Sequence, residues 1–453
     1  MTLTSDQPAV RTDRTPGRVR SELLAAGTWS ARHGVARVAM KRARKQGDLQ
    51  AQLFSDPAVR ADPFPLYARI RERGPVVKGS FLAATASHAV AGATLRSDAF
   101  GVVSDPEALP PLARWLMTRP NRTIGPVTPP SMLAVDPPDH TRYRRLVSKV
   151  FTARAMAAMR GRVGDLADEL LDRAERESRA DRARGGAPVD LVSRYASLLP
   201  VTIIAEILGV PTEMRSTFIA WGGTAAPVLD IGLSYREYRR VDRAIRELNE
   251  WMAGHFTRLR RDPGDDLLSQ LVRAEHELTE TELLAIAGLL LAAGFETTVN
   301  LIGNGAALLL KHPDQLADLR ADPAGWGNAV EEILRYESPV QNTARRALRD
   351  TEVAGVRVRE NTFLSVLIGG ANRDPEVFDD PDRFDVHRAN AREHLAFSSG
   401  VHYCLGAALA RIEGEEALRR LFERYPNLAA AGTPRRRPTR TLRGYDELPV
   451  RLG

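Results

Sequence analysis

Cys404 is the only cysteine in 453 residues, and no other feature narrows the possible folds as much. A chain with one cysteine cannot be a disulfide-stapled secreted scaffold, so a packed core has to hold it together. The cysteine lies in Phe397-Ser-Ser-Gly-Val-His-Tyr-Cys-Leu-Gly406. Packing, nucleophilic attack and metal ligation are the roles open to a lone cysteine. The residues that follow, through Arg411, are good helix formers, which predicts that the sulfur sits at a helix N-terminus. Backbone N–H groups and the positive end of the macrodipole stabilise a thiolate there. Gly400 and Gly406 carry no side chains, so a flat ligand can come close to the backbone on either side of the sulfur, with Phe397 packed against it.

Hydrophobic content of 43% and charged content of 27% are those of a soluble globular protein. The N-terminus lacks the apolar stretch of a secretory signal. The longest apolar run, Leu283 to Phe295, has 13 residues, short of the ~20 that cross a bilayer. The expectation is a cytoplasmic protein without a transmembrane segment. Of the net charge of +7, residues 1–50 supply +6, with ten Lys/Arg against four Asp/Glu. The body is therefore balanced, and no body-wide nucleic-acid surface is expected. In this arm Leu23, Leu24, Trp29, Val35, Val38 and Met40 are interspersed with Arg37, Lys41, Arg42, Arg44 and Lys45. The expectation is a basic, partly ordered extension over residues 1–50. A weak amphipathic helix touching anionic lipid or an acidic partner is the alternative. Residues 51–453 are expected to form a single domain.

Further along, a short helix is expected from Asp62 to Gly74, and a proline-rich irregular segment over 105–138. His140 and Arg144 are four apart and share one helical face, which suits paired carboxylates. An Arg-rich stretch, Arg176–Pro188, reads as a solvated loop. Thr279 and Glu282 form a capping-box signature ahead of the apolar run. Ala293 and Gly294 precede Phe295, and then Glu296-Thr297-Thr298 interrupts the apolar surface. A carboxylate and hydroxyls in a buried helix are costly unless partnered or used. The structural alternative is Thr297 bonding back to the i−4 carbonyl, with Glu296 in a local salt bridge. Glu332 and Arg335 match a Glu-x-x-Arg pair, as do Glu237/Arg240 and Glu416/Arg419. A hairpin is expected over Thr351–Val358 and a strand over Phe363–Ile368.

Phe-x-x-Gly-x-His-x-Cys-x-Gly resembles the haem-binding loop of the cytochromes P450, where a cysteine thiolate ligates iron. The other motifs occur in that family's order from about residue 50 to 453, and the pattern is most similar to actinobacterial members, nearest an orphan mycobacterial-type subfamily. The resemblance implies a mainly α fold, with a long central helix over the haem and a small β-rich lobe. Leu442–Val450 resembles the family's closing strand pair. It implies haem b (iron protoporphyrin IX) with Cys404 as axial ligand, and Phe397, Gly400, His402, Gly406 and Ala293 around it. It also implies His140, Arg144 and Arg345 on the propionates, although neighbouring Arg346 leaves that register open. Glu296 and Thr297 would form the acid–alcohol pair that relays protons to oxygen, and Glu332–Arg335 a buried brace for the loop. Ser399 departs from the family, which often has glycine there. The implied reaction is monooxygenation of a lipophilic small molecule with O2, fed by a separate ferredoxin and reductase. Arg142, Arg145 and Lys149 are the candidate docking residues. A peroxygenase, a haem-thiolate ligand-binding or sensing protein without turnover, and a nucleic-acid-binding protein are the competing readings.

Overall fold

The computed structural model describes residues 16–102, 123–182 and 188–452. Its organising element is the 32-residue helix Glu280–Lys311. Thr279 starts it through the expected reciprocal bonds: its hydroxyl accepts from the Glu282 N–H, and the Glu282 carboxylate accepts from the Thr279 N–H at 2.7 Å. Apolar residues cover nearly its whole circumference, so other helices must surround it. Leu198–Leu208, Tyr235–Arg261, Trp326–Tyr336 and Ala407–Arg424 do so. At Gly294 a Cβ would lie 2.7 Å from Ile204 Cγ1, so the bare glycine is what lets Leu198–Leu208 cross there.

By length and composition this helix could cross a bilayer, but 72% of its qualifying window is buried inside the protein. The 13-residue apolar run understates the helix, because Glu296 continues it with its charge paired internally. Burial marks it as a core helix.

The β structure is small. A five-stranded sheet runs in the order Val77–Lys78, Ala83–Thr85, Phe363–Val366, Thr343–Ala347, Phe100–Gly101. Only the second and third of these are parallel. The expected hairpin forms from Thr351–Val353 and Val356–Val358. Two expectations fail. Tyr445–Glu447 and Pro449–Arg451 do not pair with each other: the first joins Arg435–Arg436, and the second joins Val189–Asp190 and Ala429–Ala430. The single residue between them, Leu448, is too short to reverse the chain. The Arg-rich segment is not a loop from Arg176, since the helix Arg160–Arg182 runs through it. The i,i+4 ion pairs Arg173–Glu177 and Arg179–Glu175 support that helix. Residues 183–187 of the segment, and 105–122 of the irregular stretch, lie outside the described residues.

In the arm, helices Pro16–Trp29 and Val35–Lys45 are joined by a wider turn, Ser30–Gly34. Met40 and Ala43 are buried. Trp29 Nε1 donates to the Leu233 carbonyl at 2.9 Å, and Arg37 to the Gly232 carbonyl at 3.0 Å. The arm thus docks where the chain enters the helix Tyr235–Arg261.

Candidate active site

The loop 397–406 is closed on itself by the Cys404 N–H, which donates to the Phe397 carbonyl at 2.9 Å. Gly400 has φ +69, and a Cβ there would lie 2.4 Å from the Leu95 carbonyl oxygen. Its bareness serves a left-handed turn against the helix His88–Arg96. Gly406 faces open space and caps the helix Ala407–Arg424. Ser399 is extended, with φ −154 and ψ 169, a conformation that needs no glycine.

Cys404 is half-buried. Burial pushes its thiol pKa up, against the Gly406 N–H and the charges of Arg144 and Arg411, which pull it down. The helix-terminus stabilisation expected from sequence is therefore outweighed by desolvation, and a bound metal is what deprotonates such a thiol.

His140 and Arg144 project from the helix Asp139–Ser148. Burial, then the neighbouring His402 and Arg144, hold His140 at about 4. It is thus a neutral hydrogen-bonding group at physiological pH. Its ring lies 4.3 Å from that of His402, whose buried Nε2 is 3.9 Å from Asp136. Arg345, on strand Thr343–Ala347, is 5% exposed and, among the described residues, donates to Thr343 Oγ1 and the Ala344 carbonyl. Arg346 is half-buried and donates to Asn361. Burial lowers Arg345 to about 10. Among the described residues neither Arg144 nor Arg345 has a carboxylate at ion-pair distance. Arg144 acts electrostatically on the Cys404 thiol, and Arg345 is buried with Asp136 as its opposing charge. Two such guanidiniums, short of a directly bonded carboxylate, fit a group that brings carboxylates of its own.

The central helix contributes the opposite wall. Ala293 is exposed within an otherwise buried stretch, and Thr297, one turn on, is half-buried. Thr297 Oγ1 donates to the Ala293 carbonyl at 3.0 Å. Glu296 is 5% exposed and ion-paired with Arg437, whose Nε lies 3.7 Å from Asp446. Burial raises the Glu296 pKa, and Arg437 opposes it. Both side chains hold the partners that a purely structural role supplies. What sets Thr297 apart is that it shares the open face of Ala293.

Glu332 and Arg335 are fully buried and paired through both carboxylate oxygens, at 2.6 and 2.8 Å. Arg335 also donates to the carbonyls of Asn372, Pro381 and Arg383, so it ties down the segment beneath the loop. Glu416–Arg419 forms an ion pair too, but Arg419 is 27% exposed. A second brace was not visible in the sequence. Glu331 accepts from Arg411 at 2.8 Å and contacts His394 at 3.0 Å, flanking the loop on both sides. Arg411 also stacks over Phe397, 4.5 Å from the ring centre. Of the docking candidates, Arg142 is paired with Glu282 and Arg145 with Glu277, while Lys149 is exposed.

Glu413, on the helix after the loop, is 1% exposed, and burial raises its pKa to about 8. An unfolded glutamate titrates near 4.5, so the native state binds more protons between these values. Stability should therefore fall as pH rises through that window, by at most about 1.4 kcal/mol per pH unit. Glu413→Gln should flatten the decline, as read from urea midpoints at about pH 5 and about pH 8.

A lone thiol on a glycine-turned loop, guanidiniums with no carboxylate at ion-pair distance among the described residues and a core helix with one open face together define a haem-thiolate site. A family model described as Cytochrome P450 matches residues 327–442. The chain is 52% identical over 432 residues to the putative cytochrome P450 140 of Mycobacterium tuberculosis, covering 94% of this chain and 97% of that relative. It is 38% identical over 422 residues to the vitamin D(3) 25-hydroxylase of Pseudonocardia autotrophica, covering 90% and 98%. The ligand-free structure of CYP164A2 from Mycobacterium smegmatis superposes with a TM-score of 0.78 at 37% identity, covering 89% of this chain and 99% of that one. The chain belongs to the cytochrome P450 family, of the actinobacterial type. It is a monooxygenase whose cofactor is haem, with the thiolate of its only cysteine, Cys404, as axial ligand.

Proposed function

We propose that the protein inserts one atom of O2 into a C–H or C=C bond of a lipophilic small molecule in the cytoplasm, with electrons from a separate ferredoxin and reductase. When bound, haem supplies the redox centre for O2 reduction, and a thiolate ligand favours O–O cleavage. His140, Arg144 and Arg345 would orient the group through its carboxylates, and Cys404 would fix its metal.

The observation that carries the proposal is the open face made by Ala293 and Thr297. The Thr297 hydroxyl keeps a proton on that face by donating to the Ala293 carbonyl. Rotation about χ1 would redirect it to an acceptor there. Glu296 lies at the inner end of a charged track through Arg437 to Asp446, which is 30% exposed. Its raised pKa suits a group that takes a proton from solvent and passes it inward. Leu289 to Ala293 is an apolar run, and one relative is named for hydroxylating vitamin D(3). Both support a lipophilic substrate. Arg145, 65% exposed even while paired, and Lys149 just past the end of the same helix support an acidic electron donor.

Thr297→Ala should leave haem and substrate binding intact and divert reducing equivalents to hydrogen peroxide. Product per NAD(P)H should fall on the order of tenfold or more. Coupling equal to wild type would remove Thr297 from proton delivery.

A further inference from the structure

The corner where the arm meets the body shows two features that catalysis does not use. From Leu23 to Gly47 the chain holds Arg32, Arg37, Lys41, Arg42, Arg44 and Lys45, and no Asp or Glu. The helix Val35–Lys45 turns Met40 and Ala43 inward. Val35, Val38, Arg42 and Lys45 then follow at spacings of three and four, so they form one outward stripe with Lys41 beside it. Val35 is 65% exposed and Val38 53%. Ile231 and Tyr235, in the segment that receives the arm, are 41% and 36% exposed. The rings of Tyr235 and Trp29 lie 5.6 Å apart, so the two segments form one surface. Four of the ten exposed large apolar side chains among the described residues thus fall on this corner. Among those residues Lys41, Arg42 and Lys45 have no ion-pair partner.

We propose that this corner is a docking surface for an anionic lipid bilayer, which holds the enzyme peripherally at a membrane. The pattern matches that occupant. Water-exposed valines beside long cationic side chains, on a helix lying along the surface, let methyl groups enter the headgroup boundary while the cations meet lipid phosphates. Each outward Lys or Arg adds to attraction toward an anionic surface, and the effect fades within a Debye length. An acidic protein partner would meet the cations but leave the valines unexplained.

The test is co-sedimentation of the full-length holoprotein with vesicles of phosphatidylglycerol and phosphatidylcholine, against phosphatidylcholine alone. Retention only on the anionic vesicles, weakened by salt, is expected. The triple variant Lys41→Gln/Arg42→Gln/Lys45→Gln should lower partitioning on the order of a hundredfold. Val35→Ser/Val38→Ser should lower it even at low salt. Both variants should keep the wild-type reduced-CO spectrum, because the residues lie outside the haem site. No retention on anionic vesicles, or equal retention on both kinds, would overturn the proposal. So would vesicle binding unaffected by either variant. Capture by an immobilised acidic ferredoxin that depends on Arg42, without vesicle binding, would reassign the corner to a protein partner.

Discussion

The Cys404→Ser variant is expected to fold, and to lose both thiolate ligation and product formation. Serine is nearly isosteric with cysteine, and the bond that closes the loop, from the residue 404 N–H to the Phe397 carbonyl, belongs to the backbone. The Gly400 turn and the helix Ala407–Arg424 do not depend on the sulfur. The ligand itself is lost, because a serine hydroxyl does not supply the soft, electron-donating sulfur that the chemistry draws on. Changes in the outer shell of a metal site already cost roughly 10–100-fold, and this one removes a ligand, so a loss of on the order of a hundredfold or more is expected. Product formation with a surrogate ferredoxin system measures it. Turnover at the wild-type rate would refute the ligand assignment.

Arg335→Ala should be the most damaging substitution outside the ligand itself. Arg335 and Glu332 are both 0% exposed, so the variant leaves a carboxylate buried without its bidentate partner. Arg388 stays near Glu332, at 3.2 Å, but the carbonyls of Asn372, Pro381 and Arg383 each lose a donor. Breaking a buried pair from one side costs about 3–5 kcal/mol, a large share of the 5–15 kcal/mol by which proteins are stable. Little folded holoprotein is expected, and Arg335→Lys should rescue poorly because an ammonium cannot form the fork. Arg419→Ala provides the contrast, since its partly exposed pair with Glu416 should matter by about 1 kcal/mol or less. Denaturation midpoints of the holoproteins compare the three. Similar losses for Arg335→Ala and Arg419→Ala would contradict the special role given to burial.

What could be read in the sequence was local. The capping box at Thr279, the helix after Cys404 and the hairpin at Thr351–Val358 rest on residues within a few positions of one another, and each formed as expected. Contacts across long separations stayed hidden. Glu296 meets Arg437 across 141 residues, and Glu331 meets His394 and Arg411 across 63 and 80. Nothing near Glu331 marks it out from Glu332, its neighbour on the same helix. The order Arg345-Arg346 could not say which guanidinium points inward, because that depends on which face of strand Thr343–Ala347 is covered. In the arm, the mix of charge and valine indicated an amphipathic helix, while its docking site at Gly232 and Leu233 lies about two hundred residues away. Gly400 gives the same lesson. Read as clearance for a ligand, it also sits against the Leu95 carbonyl, a constraint that no neighbour in sequence announces.

The most direct test of the central claim is the absorption spectrum of the reduced, purified protein with and without carbon monoxide. Haem ligated by the Cys404 thiolate predicts a strongly red-shifted Soret band in the carbon monoxide complex. A band at the position typical of histidine-ligated haem, or no haem absorbance at all, would contradict the account.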